Sequence, residues 1–235
     1  MDILFEDNHI LAVNKACGQI VQGDKTGDTP LVELLKARIK ERDTKPGNVF
    51  LGVTHRIDRP TSGVVLFAKT GKALSRLNAL FRDKLVEKSY WAVVEGRPPA
   101  AEGRLEHNLY KNEVQNKSYV SGAEQAKQPA SRQAKQAVMT YRTLSEAERY
   151  TLLEVRMETG RHHQIRCQLA YIGCPIKGDL KYGARRSNPG GGIHLHARSV
   201  SFEHPVTHEN VSITAPPPED PVWNLFPAPA GPADL

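Results

Sequence analysis

Cysteine is scarce in this chain. There are three, Cys17, Cys167 and Cys174, an odd number with no C-x-x-C pair among them. That usage argues against a disulfide framework or a zinc knuckle and suits reduced thiols in a cytosolic protein. Long apolar runs are missing too: none approaches the ~20 residues that a membrane-spanning helix needs. The opening "MDILFEDNHILAV" carries acids early and no basic stretch, so it does not read as a signal peptide. A cytoplasmic protein that crosses no membrane is the expectation.

What is present is the composition of a globular protein, 39% hydrophobic and 25% charged over 235 residues. That length buries a real core, as one large domain or two small ones. The 32 Lys plus Arg against 26 Asp plus Glu leave a net charge of +6, a weak pointer to an anionic partner such as nucleic acid.

"HILAVNK" (His9 to Lys15) reads as a buried strand. "TPLVELLKARIKER" predicts a helix capped by Thr29, with Pro30 in its first position and a stripe of Leu31, Leu34, Leu35 and Ile39. "SGVVLFAK" is an apolar strand. It is followed by a helix capped by Thr70, with Leu74, Leu77, Leu80 and Phe81 inward, and by the strand "KSYWAVVEG". From residue 98 to about 137 the chain turns polar and basic and reads as an insertion. Strands resume at "AVMTYRTL" and "YTLLEVRMETG". "RHHQIRCQLAYIG" predicts a helix with Ile165, Leu169 and Ile172 inside and Gly173 past its end. Late strands follow, and a Pro/Ala-rich tail from 219 to 235 is expected to fray. Many strands with a few helices, not strictly alternating, indicate an α+β fold on an antiparallel or mixed sheet.

Several chemistries fail on inspection. "GQIVQGDK" has Gly18 and Gly23 spaced as in a phosphate loop, but Asp24 replaces the lysine. "GVVLFAKT" fills its loop with apolar residues that want a strand. His162 and His163 are adjacent, so on a helix they would point about 100° apart. His194 and His196 share a strand face but lack a third ligand, and a hydrogen-bonded pair is the plainer reading. Cys167 and Cys174 read as small core thiols. Asp58, in "HRIDRPTSG", remains. Between Arg56 and Arg59 it is either a surface ion pair or a carboxylate fixed by the core for chemistry, with Arg161 and Arg166 of "TGRHHQIR" available as further cations. A carboxylate facing guanidinium groups stays ionised, which suits a nucleophile or a base.

These segments resemble the RluA-type family of RNA pseudouridine synthases. "HRIDRPTSG" departs from the family's H-R-L-D-x-x-T-S-G only at Ile57. The family's K-x-Y appears as Lys88, Ser89 and Tyr90, and its T-G-R-x-H-Q-I-R…G-D-x-x-Y-G run as "TGRHHQIRCQLAYIGCPIKGDLKYG". "EDNHILAVNKACG" and "LHARSVSFEHPVT" match as well. Two departures stand out: Ala16 replaces the proline of N-K-P-x-G, and Gln168 replaces a histidine.

The resemblance implies a single pseudouridine synthase domain over 1–218, with 98–137 inserted. It implies a mixed, largely antiparallel central sheet flanked by helices and loops, with an RNA cleft across its middle. It implies an isomerase that converts chosen uridines of tRNA or rRNA to pseudouridine after flipping the base, with transfer RNA marginally the first expectation. No cofactor or metal and a monomeric state are expected. The chain begins directly at the catalytic motifs, so a stand-alone domain without an S4 module is expected too. By motif position Asp58 is the catalytic aspartate, Arg166 its guanidinium partner and Tyr90 the ring on the uracil. Arg56, Ile57, Arg161 and Ile176 fall to RNA or uridine binding. Lys111, Lys117, Lys127, Arg132 and Lys135 make the insertion either an RNA clamp or a solvated loop. The alternatives are a non-catalytic RNA-binding or RNA-chaperone module on the same fold, and a metal-dependent phosphate-ester hydrolase.

Overall fold

Two apolar runs, "ILAV" and "VVLFA", lack the alternation of a half-wet strand, so each must be covered on both faces. In the computed structural model, which describes residues 2–24, 26–44, 46–122 and 133–226, both are central strands. β2 (Ile10–Lys15) follows β1 (Asp2–Glu6) in an antiparallel hairpin, and β4 (Ser62–Ala68) is buried along its whole length. β2 pairs antiparallel with β4 from Ile10↔Ala68 to Lys15↔Gly63. The short β3 (Gly52–Val53) also pairs with β4.

The chain divides into two compact units. The first, in its described part, spans 2–89 and 196–217. Here β4 also pairs in parallel with β10 (Leu195–Glu203), which pairs antiparallel with β11 (Asn210–Thr214). Helix α2 (Gly71–Arg82) lays Ala73 and Leu77, both fully buried, against Ile10, Ala12, Val64 and Leu66. Thr70 caps it as expected, its side chain accepting from the Ala73 N–H at 3.1 Å. Helix α1 (Leu31–Arg42) starts differently from the expectation. Pro30, not Thr29, is the N-cap, and no side chain caps the end. The Leu31 and Val32 amides donate instead to the Ile20 and Val21 carbonyls, at 2.7 and 3.3 Å. The entering chain therefore satisfies the orphan donors that a hydroxyl would otherwise take. The buried stripe is Leu31, Val32, Leu35 and Ile39; Leu34 faces solvent.

The second unit, described over 90–122, 133–195 and 218–226, holds strands in the order β5-β9-β8-β6-β7. These are β5 (Glu87–Glu95, mostly in this unit), β6 (Glu102–Asn112), β7 (Lys117–Val120), β8 (Lys135–Glu146) and β9 (Tyr150–Met157). The pairs β6–β7, β6–β8 and β8–β9 are antiparallel. Much of the segment expected to be an insertion is thus regular sheet. β6 alternates exposed with half-buried positions, and that polar face hid it. Lys127 and Arg132 lie outside the described residues. Helix α3 (Gln164–Tyr171) buries Ile165 and Leu169 as expected, and Gly173 follows it at φ +82°. The tail does not fray where it is described: Trp223 and Phe226 pack against Trp91, Val93 and Leu152. Its two large apolar side chains outweigh its prolines.

Gly63 has no room for a side chain. Its φ is +114°, and a Cβ there would approach the Ala197 backbone closer than 3.0 Å, where β4 pairs with β10. Gly63→Ala is therefore expected to destabilise the fold by at least about 1–3 kcal/mol, from backbone strain alone. A thermal melt checks this, and an unchanged melting temperature would contradict it.

Candidate functional site

In the first unit the loop from Thr54 to Thr61 carries Arg56, Ile57, Asp58 and Arg59 into β4. His55 anchors its start. Its Nε2 accepts the Leu66 N–H at 3.0 Å, and its ring lies 4.8 Å from that of Phe81. Burial, aided by the nearby Lys88 charge, pushes its pKa down to about 3, so it stays a neutral acceptor. Asp58 then opens a turn in which its carbonyl accepts the Thr61 N–H at 3.0 Å. Next, the Ser62 hydroxyl meets His196 Nδ1 at 2.8 Å, while His196 Nε2 donates to the Ala215 carbonyl.

Lys15 pins the turn from below. It has no exposed surface, and its Nζ donates to the carbonyls of Ala16 (3.0 Å), Gln19 (2.9 Å) and Arg59 (3.2 Å). All three ammonium protons are used. The Gly18 amide also donates to the Arg59 carbonyl. Desolvation pulls the Lys15 pKa down to about 8, with Cys17 and Asp58 acting the other way. Asp58 is half-buried, Ile57 is buried, and Arg56 is exposed. Arg59 extends to an ion pair with Asp28 at 2.7 Å.

In the second unit the turn before α3 is held by the Gln164 side chain. Its oxygen accepts from the Arg161 N–H and the Thr159 hydroxyl, and its nitrogen donates to the Val138 carbonyl. His163, the N-cap, sits in the left-handed region at φ +51°. Its ring stacks on His162 at 3.7 Å, so the two histidines share a direction, against the divergence expected on a helix. Arg166, the third residue of α3, is 5% exposed and grips Asp179 bidentately: Nε to Oδ2 at 2.6 Å and Nη2 to Oδ1 at 2.9 Å. The Tyr182 ring lies 5.1 Å from the guanidinium carbon. The Tyr182 hydroxyl accepts the Ser118 N–H at 2.8 Å and lies 3.0 Å from His163 Nδ1. Arg161 is exposed, its Nε donating to the Gln136 carbonyl. Ile176 is fully buried and bridges to Val94 of β5. Tyr90, also on β5, is 7% exposed.

Sequence reasoning passed over Lys15, Asp179 and Tyr182, although all three lie within the quoted motifs. A lysine ending a strand looks like a solvated charge, and nothing local signals three carbonyls around it. Gln168 is fully buried and structural. Its amide nitrogen lies 3.2 Å from the carbonyls of Leu105 and Ala137 and 2.9 Å from His107 Nδ1, tying α3 to β6 and β8. The metal-like histidines are engaged otherwise: His194 Nε2 meets Asp220 at 2.8 Å, and His196 bonds as above. The Cys167 thiol is pushed up to about 12 by burial and stays protonated. Among the described residues no helix is long and apolar enough to cross a membrane.

By sequence the chain falls in a class of RNA-modifying isomerases. The family model for RNA pseudouridylate synthase matches residues 9–171, and the chain belongs to that family. It is 36% identical over 223 residues to the uncharacterized RNA pseudouridine synthase YlyB of Bacillus subtilis, covering 94% of this chain and 70% of that one. It is 36% identical to the ribosomal large subunit pseudouridine synthase C of Vibrio parahaemolyticus, over 91% of this chain and 65% of that one. The chain thus spans roughly two thirds of these relatives' length. Human RNA pseudouridylate synthase domain containing 4 shares the fold, with a TM-score of 0.74 at 24% identity over 92% of this chain and 88% of that one.

Two stability predictions follow from the buried polar groups. The folded-state pKa of Lys15 lies below the ordinary lysine value of about 10.4, so between about pH 8 and pH 10 the unfolded chain binds more protons. Wild type should therefore gain stability relative to Lys15→Met as pH rises through that window. Urea titrations at several pH values measure the difference; a flat difference would mean Lys15 titrates normally. Gln168→Ala should cost about 1–3 kcal/mol by stripping a donor from buried carbonyls, read from the urea midpoint.

Proposed function

We propose that this chain isomerises uridine to pseudouridine in ribosomal RNA of the large subunit, with Asp58 as the catalytic carboxylate. The N1–C1′ bond breaks, C5 bonds to C1′, the C5 proton leaves to solvent and N1 takes up a proton, so atoms and charge balance. No electrons are gained or lost overall, so the reading includes no cofactor. Asp58 acts as an ionised oxygen at the sugar, whether by attack on C1′ or by taking the 2′ proton. Arg166 is the guanidinium of the reaction and Tyr90 its aromatic partner. Ile57, Arg161 and Ile176 contribute to uridine or RNA binding, and Arg56 to filling the place of the flipped base, whose extrusion costs a few kcal/mol. The choice of ribosomal RNA over transfer RNA rests on the names of the relatives, several of which are ribosomal large subunit enzymes. A monomer in the cytoplasm completes the reading, in keeping with three free cysteines.

The observation that carries the role of Asp58 is its setting. A lone surface aspartate needs no buried ammonium beneath its turn and no histidine locking the strand entrance, and this one has both. The test is tritium release from 5-³H-uridine in large-subunit rRNA fragments, with EDTA present. Wild type should release tritium and Asp58→Asn should fall to background. Equal release by both proteins would remove Asp58 from the chemistry. Tight binding with no release would favour a binding module, and strand cleavage without release, seen with metal and lost with EDTA, a metal-dependent hydrolase.

A further inference from the structure

Beside the edge strand β7, a cavity of about 760 Å³ opens between that strand and the outer face of α3. It lies within the second unit, and none of Tyr90, Arg161, Arg166 or Ile176 lines it. Its lining includes Lys117, Tyr119, Cys167, Tyr171, Gly173 and Tyr182. Lys117 Nζ lies 5.1 Å from the Tyr119 ring centre and 5.0 Å from that of Tyr182. Among the described residues no carboxylate lies within ion-pair distance of it, whereas the neighbouring Lys111 on β6 pairs with Glu113 at 2.7 Å. Lys181 adds a second cation nearby, its Nζ donating to the carbonyls of Gln115 and Asn116 in the β6–β7 turn. The aromatic surface continues across the hairpin, where Tyr110 and Tyr119 stack with ring centres 5.6 Å apart and planes at 20°. Tyr171 is about half exposed.

An ammonium held against ring faces, with no carboxylate partner among the described residues, asks for a ligand that is anionic at one point and flat at another. A nucleotide is that ligand: phosphate to the cation, base on the ring. The volume falls in the range of small-ligand pockets, about 300–1,000 Å³. Resting on the reading that the chain acts on RNA, we propose that this cavity holds a nucleotide of the bound RNA outside the target uridine. Lys117 takes its phosphate and Tyr119 stacks its base. The site adds affinity and fixes the register of the RNA on the second unit.

The test is filter binding of a large-subunit rRNA fragment, across about 50–200 mM salt, to wild type, Lys117→Gln, Tyr119→Leu and Tyr119→Phe. Folding of each variant is checked by its melt. Loss of one phosphate contact should lower the steepness of log K against log salt by about 0.7–0.9 in Lys117→Gln. Loss of one stacked base should weaken binding roughly 5- to 140-fold in Tyr119→Leu, while Tyr119→Phe keeps the ring and binds as wild type. Wild-type affinity and salt slope in both Lys117→Gln and Tyr119→Leu, with wild type still releasing tritium from the RNA, overturn the cavity proposal and leave the activity standing. Neither binding nor release by wild type overturns both. A fourth arm titrates free UMP: binding that Lys117→Gln abolishes, with RNA affinity unaltered, assigns the cavity to a free nucleotide and overturns the RNA proposal.

Discussion

An ammonium with no exposed surface shapes the turn that carries Asp58. Burying a charge costs several kcal/mol unless every hydrogen on it finds an acceptor. Lys15 meets that condition with the carbonyls of Ala16, Gln19 and Arg59. Two of these belong to the stretch just after β2 and the third to the residue following Asp58, so satisfying the charge forces the two stretches together. The half-buried carboxylate then rises from a backbone that cannot drift without orphaning the ammonium. A surface loop holding the same residues would reach the same arrangement only as one state among many.

The second unit answers the same constraint with a carboxylate. Arg166 and Asp179 are both almost fully buried, and their two parallel bonds set the guanidinium plane. Such a pair adds little net stability over apolar residues of the same volume, but losing one partner costs about 3–5 kcal/mol. Its value lies in orientation. Asp179 occupies a loop whose preceding residues, Pro175 to Lys177, are hydrogen-bonded to β5, so the pair joins a helix to a strand-anchored loop.

Legibility in the sequence followed how local each cause was. The Thr70 cap and α2 were readable because hydroxyl, spacing and apolar stripe all lie within one short segment. β2 and β4 were readable because uninterrupted apolar runs have few other uses. Thr29 misled because its rival, the backbone of Ile20 and Val21, arrives from outside the helix. β6 and β7 misled because a hairpin at the sheet edge keeps one polar face, which composition cannot tell from a loop. Trp223 and Phe226 were hidden by the prolines around them. At the site, the motif around Asp58 was plain, but the partners of Lys15, Arg166 and Gln168 come from distant segments. Gln168 shows the limit well: one amide replaces an imidazole and ties three elements together, which no reading of its neighbours could supply.

Tyr182 draws these local facts into a directional chain. Burial raises its pKa, so the hydroxyl keeps its proton at any ordinary pH. Burial lowers that of His163, with the Arg166 charge adding to the effect, so the imidazole stays neutral. With its oxygen accepting the Ser118 amide, the hydroxyl has its proton left for His163 Nδ1, which leaves the ring hydrogen on Nε2. That bond anchors the ring of a residue that holds the left-handed region, at φ +51°, immediately before α3. The start of α3 decides where Arg166 falls, as the third residue of the helix. The ring that completes this chain also faces Lys117, so the edge strand β7 and the guanidinium of Arg166 meet on the same tyrosine. A residue three places past Asp179 thus couples the sheet edge to the helix that carries the cation.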